Sequence, residues 1–439
     1  MRRICLTLPT NRPCSATIEA IAEEAAYAVE HFDTEVHLLI LDSCDAPAHA
    51  EHAETVRRLP QDPRIVVHHL DEARQRAFLQ RTIGRAAATK PDLLLELMLP
   101  AKLSYGACTN RAFLIAAALG CESVHRRDSD SRYQTLDGET LFPIHHELTS
   151  LGRRAADTAP DVTENMLGER HVDKTVSMVG SSFVGELSVD IGEILDIDPD
   201  VYHDMVSLWA PMEWSGEQKK QLVEDSFRGA GTDLFVRDHS TLALVDPMRV
   251  DMCNISFHGV QERVPLPPAT DTIGSDYFLI HLVHDAALPG VLHNRHIVNF
   301  YTGERRTDAG FTAYQLRFVK FLLSMLYFNV IYDRMAQAGP ELVDEQGQVR
   351  AAPVARLARE SALLDRAENV RRLDALDVAY RQLGGRYAEF ADLLAVRRER
   401  LLDEARGDIE DFALLTESWE ALVQAARDTP VPTPTEWPA

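Results

Sequence analysis

The stretch "RRICLTLPTNRP", residues 2–13, opens with a short β-rich apolar run and breaks at Pro9 into a polar loop. The segments after this loop decide the fold. The segment "SATIEAIAEEAAYAVEHF" (15–32) carries helical spacing, and "EVHLLILD" (35–42) returns to a β-rich apolar run. The helical "APAHAEHAETVRRL" (46–59) and the strand-like "RIVVHHL" (64–70) repeat the alternation. Strand and helix in turn, with short connections, predict a mostly parallel sheet covered by helices on both faces. Ligands of such sheets bind beyond the carboxyl ends of the strands. Here those ends are "PTNRP" (9–13), "DSCD" (42–45) and the loop following "HHL" (68–70), of which the first two carry polar groups suited to binding.

Composition narrows the function. The 439 residues are 45% hydrophobic and 26% charged, as in ordinary globular chains, and the net charge is −23. That charge argues against nucleic acid as the main partner, because no general basic field exists to attract phosphates. A phosphorylated ligand needs a local cationic patch or a metal. The six cysteines are scattered with no CxxC pair, and the Cys121/His125 pair has no second pair beside it. Reduced thiols in a cytoplasmic protein without structural zinc are therefore expected. No signal peptide and no membrane span are expected: the closest window, "RFVKFLLSMLYFNVIYDRM" (317–335), encloses Lys320 and Asn329 and reads as a core helix.

Charge is concentrated in "HRRDSDSRYQ" (125–134), where Asp128 and Asp130 lie among Arg126, Arg127 and Arg132. Carboxylates at i and i+2 of an extended segment point the same way. One loop can thus offer one carboxylate to a hard divalent cation and the other to a ribose or a metal-bound water. The competing reading is a solvated turn whose charges alternate.

"ICLTLPTNRP", "HLLILDS" and "GACTNRAFLIAAALGCESVHRRDSDS" (106–131), in that order and spacing, resemble the nucleotide-binding half of glycosyltransferases of the GT-A fold, Asp-x-Asp type. The second strand departs from the family pattern by ending "LDSCD". The resemblance implies an α/β fold, a GT-A-like mostly parallel sheet flanked by helices, with a helical C-terminal extension. Residues 1–135 would be the nucleotide-sugar-binding half and 136–310 the acceptor-binding and catalytic half of the same domain. Residues 311–428 would be the helical extension, which either dimerises or covers the acceptor site, and 429–439 a disordered tail. The implied activity is metal-dependent transfer of a sugar from a nucleoside-diphosphate sugar to an acceptor hydroxyl. The Arg- and Ala-rich, acidic composition with no expected membrane anchor points to a small soluble acceptor, such as a specialised metabolite in bacterial antibiotic biosynthesis. Two alternatives stand beside it: a sugar nucleotidyltransferase, which "PTNRPCSAT" disfavours by lacking glycine, and a noncatalytic helical partner-binding protein with a relic core.

The same resemblance assigns the site. Pro9, Thr10, Asn11, Arg12, Asp42, Tyr105, Gly106, Asn110, Arg111 and Asp128 would hold the nucleotide sugar. Asp130, with His293 or His296 of "VLHNRHIVNFYTGERR" (291–306), would bind Mn2+ or Mg2+, and Arg305 would clamp the diphosphate. In "TDTIGSDYFLIHL" (270–282), Asp276 is the candidate catalytic base, and Asp271 is either a helix cap or an acceptor contact. His68/His69 read as bland pairs, and His145/His146 as bland or as lining an acceptor pocket. Trp209, Trp214 and Tyr202 fall where an acceptor-binding insertion would lie.

Overall fold

The computed structural model describes residues 1–189, 191–300 and 307–432. The first four strands are β1 (Arg2–Thr10), β2 (Thr34–Asp42), β3 (Ile65–Asp71) and β4 (Ser123–Arg127). The helices between them are α1 (Ser15–His31), α2 (Ala46–Arg58), α3 (Glu72–Arg85), α4 (Pro91–Met98) and α5 (Tyr105–Ala118). In space the strands run β3, β2, β1, β4, all parallel. The sheet continues through Asn254–His258, Met178–Gly180, Gly290–His293, Ser240–Ala243 and Glu164–Asn165, with antiparallel pairings mixed in. The expected α/β class, with a mostly parallel sheet flanked by helices and a helical C-terminal region, is what the chain forms.

Strand periodicity explains the two faces. Ile4, Leu6, Leu8, Val36, Leu38 and Ile40 pack against Ile18, Ile21 and Ala25 of α1. Their neighbours Cys5, Leu39 and Leu41 turn to the other side and join a larger core. Because β1 and β2 are covered on both faces, their apolar runs are nearly continuous.

That larger core also takes in the C-terminal helices, Asp308–Ala338, Ala351–Ser361, Ala367–Leu383 and Gly385–Arg427. The last has 43 residues, so it is about 65 Å long at 1.5 Å per residue. In Asp308–Ala338 the polar residues that interrupt the apolar window are both engaged. Lys320 Nζ donates to Thr270 O (2.7 Å) and pairs with Asp408 (2.8 Å), and Asn329 donates to Trp209 O (3.0 Å). Among the described residues no helix is long and apolar enough to cross a membrane.

The order β3-β2-β1-β4 positions the site. The chain moves outward from β1 to β3 and then crosses back to place β4 on the other side of β1. The carboxyl ends of β1 and β4 therefore flank a topological switch point, where adjoining connections diverge and leave a crevice.

Candidate active site at the carboxyl edge of the sheet

Two loops face each other across that crevice. In the loop after β1, Thr10 Oγ1 donates to Arg12 O (2.8 Å) and accepts from the Arg12 amide (3.2 Å), which fixes a tight turn. Arg12 Nη1 then donates to Asp130 Oδ2 in the loop after β4 (2.7 Å). The first turn of α1 adds a second tie, Thr17 Oγ1 to Ser129 O (3.1 Å), and Ser131 Oγ closes the Asp loop on Asp128 O (2.7 Å).

The alternation of β4 sorts its cations. His125 and Arg127 point to one face, into a buried polar network. Arg127, 1% exposed, reaches Glu24 (2.8 and 3.0 Å) and Glu147 (3.0 and 3.1 Å), while His125 Nδ1 meets Glu147 (2.7 Å) and Tyr133 donates to Glu24 (2.6 Å). Arg126 points to the opposite face and joins Asp128 (3.0 Å) to Asp276 (2.9 Å), with a further bond to Met252 O (3.0 Å). Arg132 lies over the Phe300 ring, 4.4 Å from its centroid. The charges of "HRRDSDSR" thus divide between a structural network and a cavity wall.

The cavity occupies about 680 Å3. Pro9–Arg12, Tyr105, Arg111, Arg126, Asp128, Asp130 and Asp276 line one end. Asp251 lines it too, accepting hydrogen bonds from Ser182 Oγ and Tyr277 OH. Burial, then the neighbouring Asp130 and Asp276, push the Asp128 carboxyl up to about 6 against the pull of Arg126 and Arg12. Burial, reinforced by Asp276, also raises Asp251. Asp276 uses Oδ2 for Arg126, and its Oδ1 makes no hydrogen bond among the described residues. Arg111 differs from the other arginines here. It donates to Gln75 Oε1 and Met98 O (both 2.7 Å), pairs directly with no carboxylate among the described residues, and burial pulls its pKa below the usual value against the weaker pull of Glu72. The opposite end is aromatic. Trp209 stacks on Phe227 (5.4 Å) and meets Phe321 edge-on (5.2 Å), with Trp214, Tyr314 and Tyr332 also on the lining.

Several sequence-selected residues are placed elsewhere. Asp42 is 1% exposed and turns away from the cavity, accepting from His52 (2.9 Å) and His69 (2.8 Å), although its neighbours Leu41 and Ser43 do line it. Gly106 and Asn110 dock backbone instead of presenting to the cavity. A Cβ on Gly106 would sit 1.9 Å from Pro267 O, and the Asn110 amide both donates to and accepts from the Leu266 backbone (2.8 Å each). Asp271 takes a positive φ of 48° and pairs with Lys102 (3.3 Å); it caps no helix, since the helical segment it precedes begins at Ser275 with Gly274 at its N-cap. Arg305 lies outside the described residues.

The expected metal-binding histidines are not brought to Asp130. His293 is buried against His146, ring centroids 5.1 Å apart, and burial holds it well below its usual pKa. His296 bonds Ser181 (2.7 Å). The antiparallel pairing sets Ile297 opposite Tyr133 and Asn299 opposite Ser131, and Gln134 Nε2 donates to His296 O (2.8 Å), so His296 sits beside Gln134 and not beside Asp130. Gln134 is four residues beyond Asp130, roughly 13 Å along a strand rising about 3.3 Å per residue. His145 bonds Tyr27 (2.9 Å) and His146 bonds Asp238 (3.0 Å), whereas Tyr202 is core. Asp251 and the Arg126–Asp276 pair escape sequence reasoning, because no local pattern marks partners 26 and 69 residues away for Asp251 or 150 residues apart for Arg126 and Asp276.

A family model described as a family of unknown function (DUF6271) matches residues 2–435. The chain belongs to the DUF6271 family. No curated protein matches this DUF6271 chain. Among solved structures it is similar to the mannosyltransferase PcManGT from Pyrobaculum calidifontis, described in complex with GDP-Man and Mn2+. That likeness has 13% identity and a TM-score of 0.33, over 98% of this chain and 88% of that one.

Proposed function

We propose that the chain is a glycosyltransferase that moves a sugar from a nucleoside-diphosphate sugar to a hydroxyl of a small acceptor. The observation that carries the reading is the convergence of the Arg12 and Asp130 loops at the switch point, joined at 2.7 Å and opening on the cavity that also holds the Arg126–Asp276 pair. The Thr10–Arg12 loop, Ser43 and Tyr105 take the nucleotide. Arg111, a buried cation that makes no carboxylate hydrogen bond among the described residues, takes the diphosphate.

A hard divalent ion fits the donor set. Carboxylates outnumber cations along the lining, and burial, then the nearby Asp130 and Asp276, push the Asp128 carboxyl up to about 6. Asp130 and Asp128 would hold Mn2+ or Mg2+, without help from His293 or His296. Such an ion supplies positive charge to the diphosphate as the leaving group departs. The chain's own residues do the rest. Arg12 and Arg126 fix the acidic loop in place. Asp276 Oδ2 is held by Arg126, so Oδ1 is directed at the acceptor hydroxyl and takes its proton as the acceptor oxygen bonds the anomeric carbon and the carbon–phosphate oxygen bond breaks. The aromatic end excludes water and seats an acceptor with a flat apolar body. The displacement inverts the anomeric configuration.

The test is a panel of nucleotide sugars assayed for slow hydrolysis with Mn2+ present. One donor class is expected to turn over, with Asp276→Asn lowering the rate at least about 100-fold while donor affinity changes little. Equal hydrolysis by wild type and Asp276→Asn would remove Asp276 from the chemistry.

A further inference from the structure

Behind the donor loop, on the face of β2 turned away from the cavity, the structure gathers a second set of ligating groups. Asp42 ends β2, and the parallel register sets His69 beside Ile40, so Asp42 and His69 are diagonal neighbours on one face. The helix α2 begins at its cap Asp45 and carries His49 and His52 three residues apart, on one side of the helix. One oxygen of Asp42 meets both His52 Nδ1 (2.9 Å) and His69 Nε2 (2.8 Å). The His49 ring stacks on His69 at 4.7 Å, and its Nε2 is enclosed without a hydrogen-bond partner among the described residues.

We infer that Asp42, His49 and His69 form a binding site for a transition-metal ion of the Zn2+ class, separate from the carboxylates of the cavity. Their ligating atoms lie within 4.8 Å of one another. Ligands about 2.0–2.2 Å from a tetrahedral Zn2+ are spaced a little more tightly, so small side-chain rotations close the set. Two imidazoles and one carboxylate leave a fourth position for water, and such a mixed set selects Zn2+ over Mg2+ or Mn2+. His52 is not a ligand but a positioning residue. Its Nε2 accepts the Cys14 amide (2.9 Å), which leaves Nδ1–H to hold the Asp42 carboxylate, as outer hydrogen bonds orient ligands in metal sites. Cys44, two residues beyond Asp42, directs its thiol to Arg12 O (3.3 Å), so the ion would pin the end of β2 beneath the loop that carries Arg12.

The inference does not depend on the proposed reaction, and its test keeps the two apart. Chelator-treated full-length protein is titrated with Zn2+ alone, and with Co2+ to read tetrahedral visible absorbance. One equivalent is expected. His49→Ala, at a half-exposed helix position that tolerates truncation, and His69→Ala should each weaken binding at least about 100-fold, and His52→Gln by about 10–100-fold. Asp130→Asn should bind as wild type does. No bound equivalent would overturn the site, as would binding that survives both His49→Ala and His69→Ala.

Discussion

At the scale of single residues, burial decides the chemistry. Asp285 shows it away from the cavity: burial, then the nearby Asp333, push its carboxyl up to about 7. A carboxyl whose folded pKa exceeds its unfolded value near 3.9 is penalised when ionised. The Asp285 carboxyl is therefore most destabilising above pH 7, and its penalty shrinks as pH falls through 7 toward 4. Asp285→Asn should raise stability by about 1–2 kcal/mol at pH 8, after allowance for partial solvent screening, and progressively less at lower pH. Urea unfolding at pH 8 and pH 5 measures both. A gain of equal size at the two pH values would show that the charge is not the cause. The fate of the charged run was half legible for the same reason. Period two separates Arg126 from Arg127 on paper, but only the fold supplies the Glu24 and Glu147 that claim Arg127.

At the scale of elements, the strand–helix alternation of the first 130 residues was readable chiefly from β1 and β2, which are covered on both faces and so are nearly all apolar. Helix α5 was readable as a helix but not in its contacts. Ser104, Gly106 and Asn110 serve one task, bringing the first turns of α5 onto the backbone of residues 266–268. With those three facing backbone, Tyr105 and Arg111 fall on the cavity side. Gly106→Ala would drive a methyl into Pro267 O, and the helix would have to move away. It should cost at least about 2 kcal/mol, seen as a lower urea midpoint with an unchanged slope. An unshifted midpoint would mean the docking is loose. The pairing of residues 297–299 with 131–133 could not be read from the chain, since register between distant strands depends on what fills each face. That one register separates His296 from Asp130.

At the scale of the whole molecule, the C-terminal helices are part of the core that backs the sheet. Phe318, Leu322, Phe412 and Trp419 belong to the same apolar cluster as Leu114 and Ile255, and Trp419 Nε1 donates to Gln261 O (2.9 Å). Tyr314, Phe321, Met325 and Tyr332 of the helix 308–338 form a wall of the cavity. Deleting residues 351–439 should therefore abolish cooperative unfolding in calorimetry, because it strips that wall of its support. A truncated chain that melts as sharply as the full one would instead mark the helices as an appendage.

The central claim is that a divalent ion at Asp128 and Asp130 lets this acidic molecule hold a diphosphate. Calorimetric titration of GDP and of UDP, each with and without Mn2+, tests it most directly, with Asp130→Ala as the partner variant. The account predicts that one of the two nucleotides binds with Mn2+, that affinity falls at least about 10-fold without it, and that Asp130→Ala abolishes the difference. Binding that is equally strong without the ion, or that is untouched by Asp130→Ala, would contradict it.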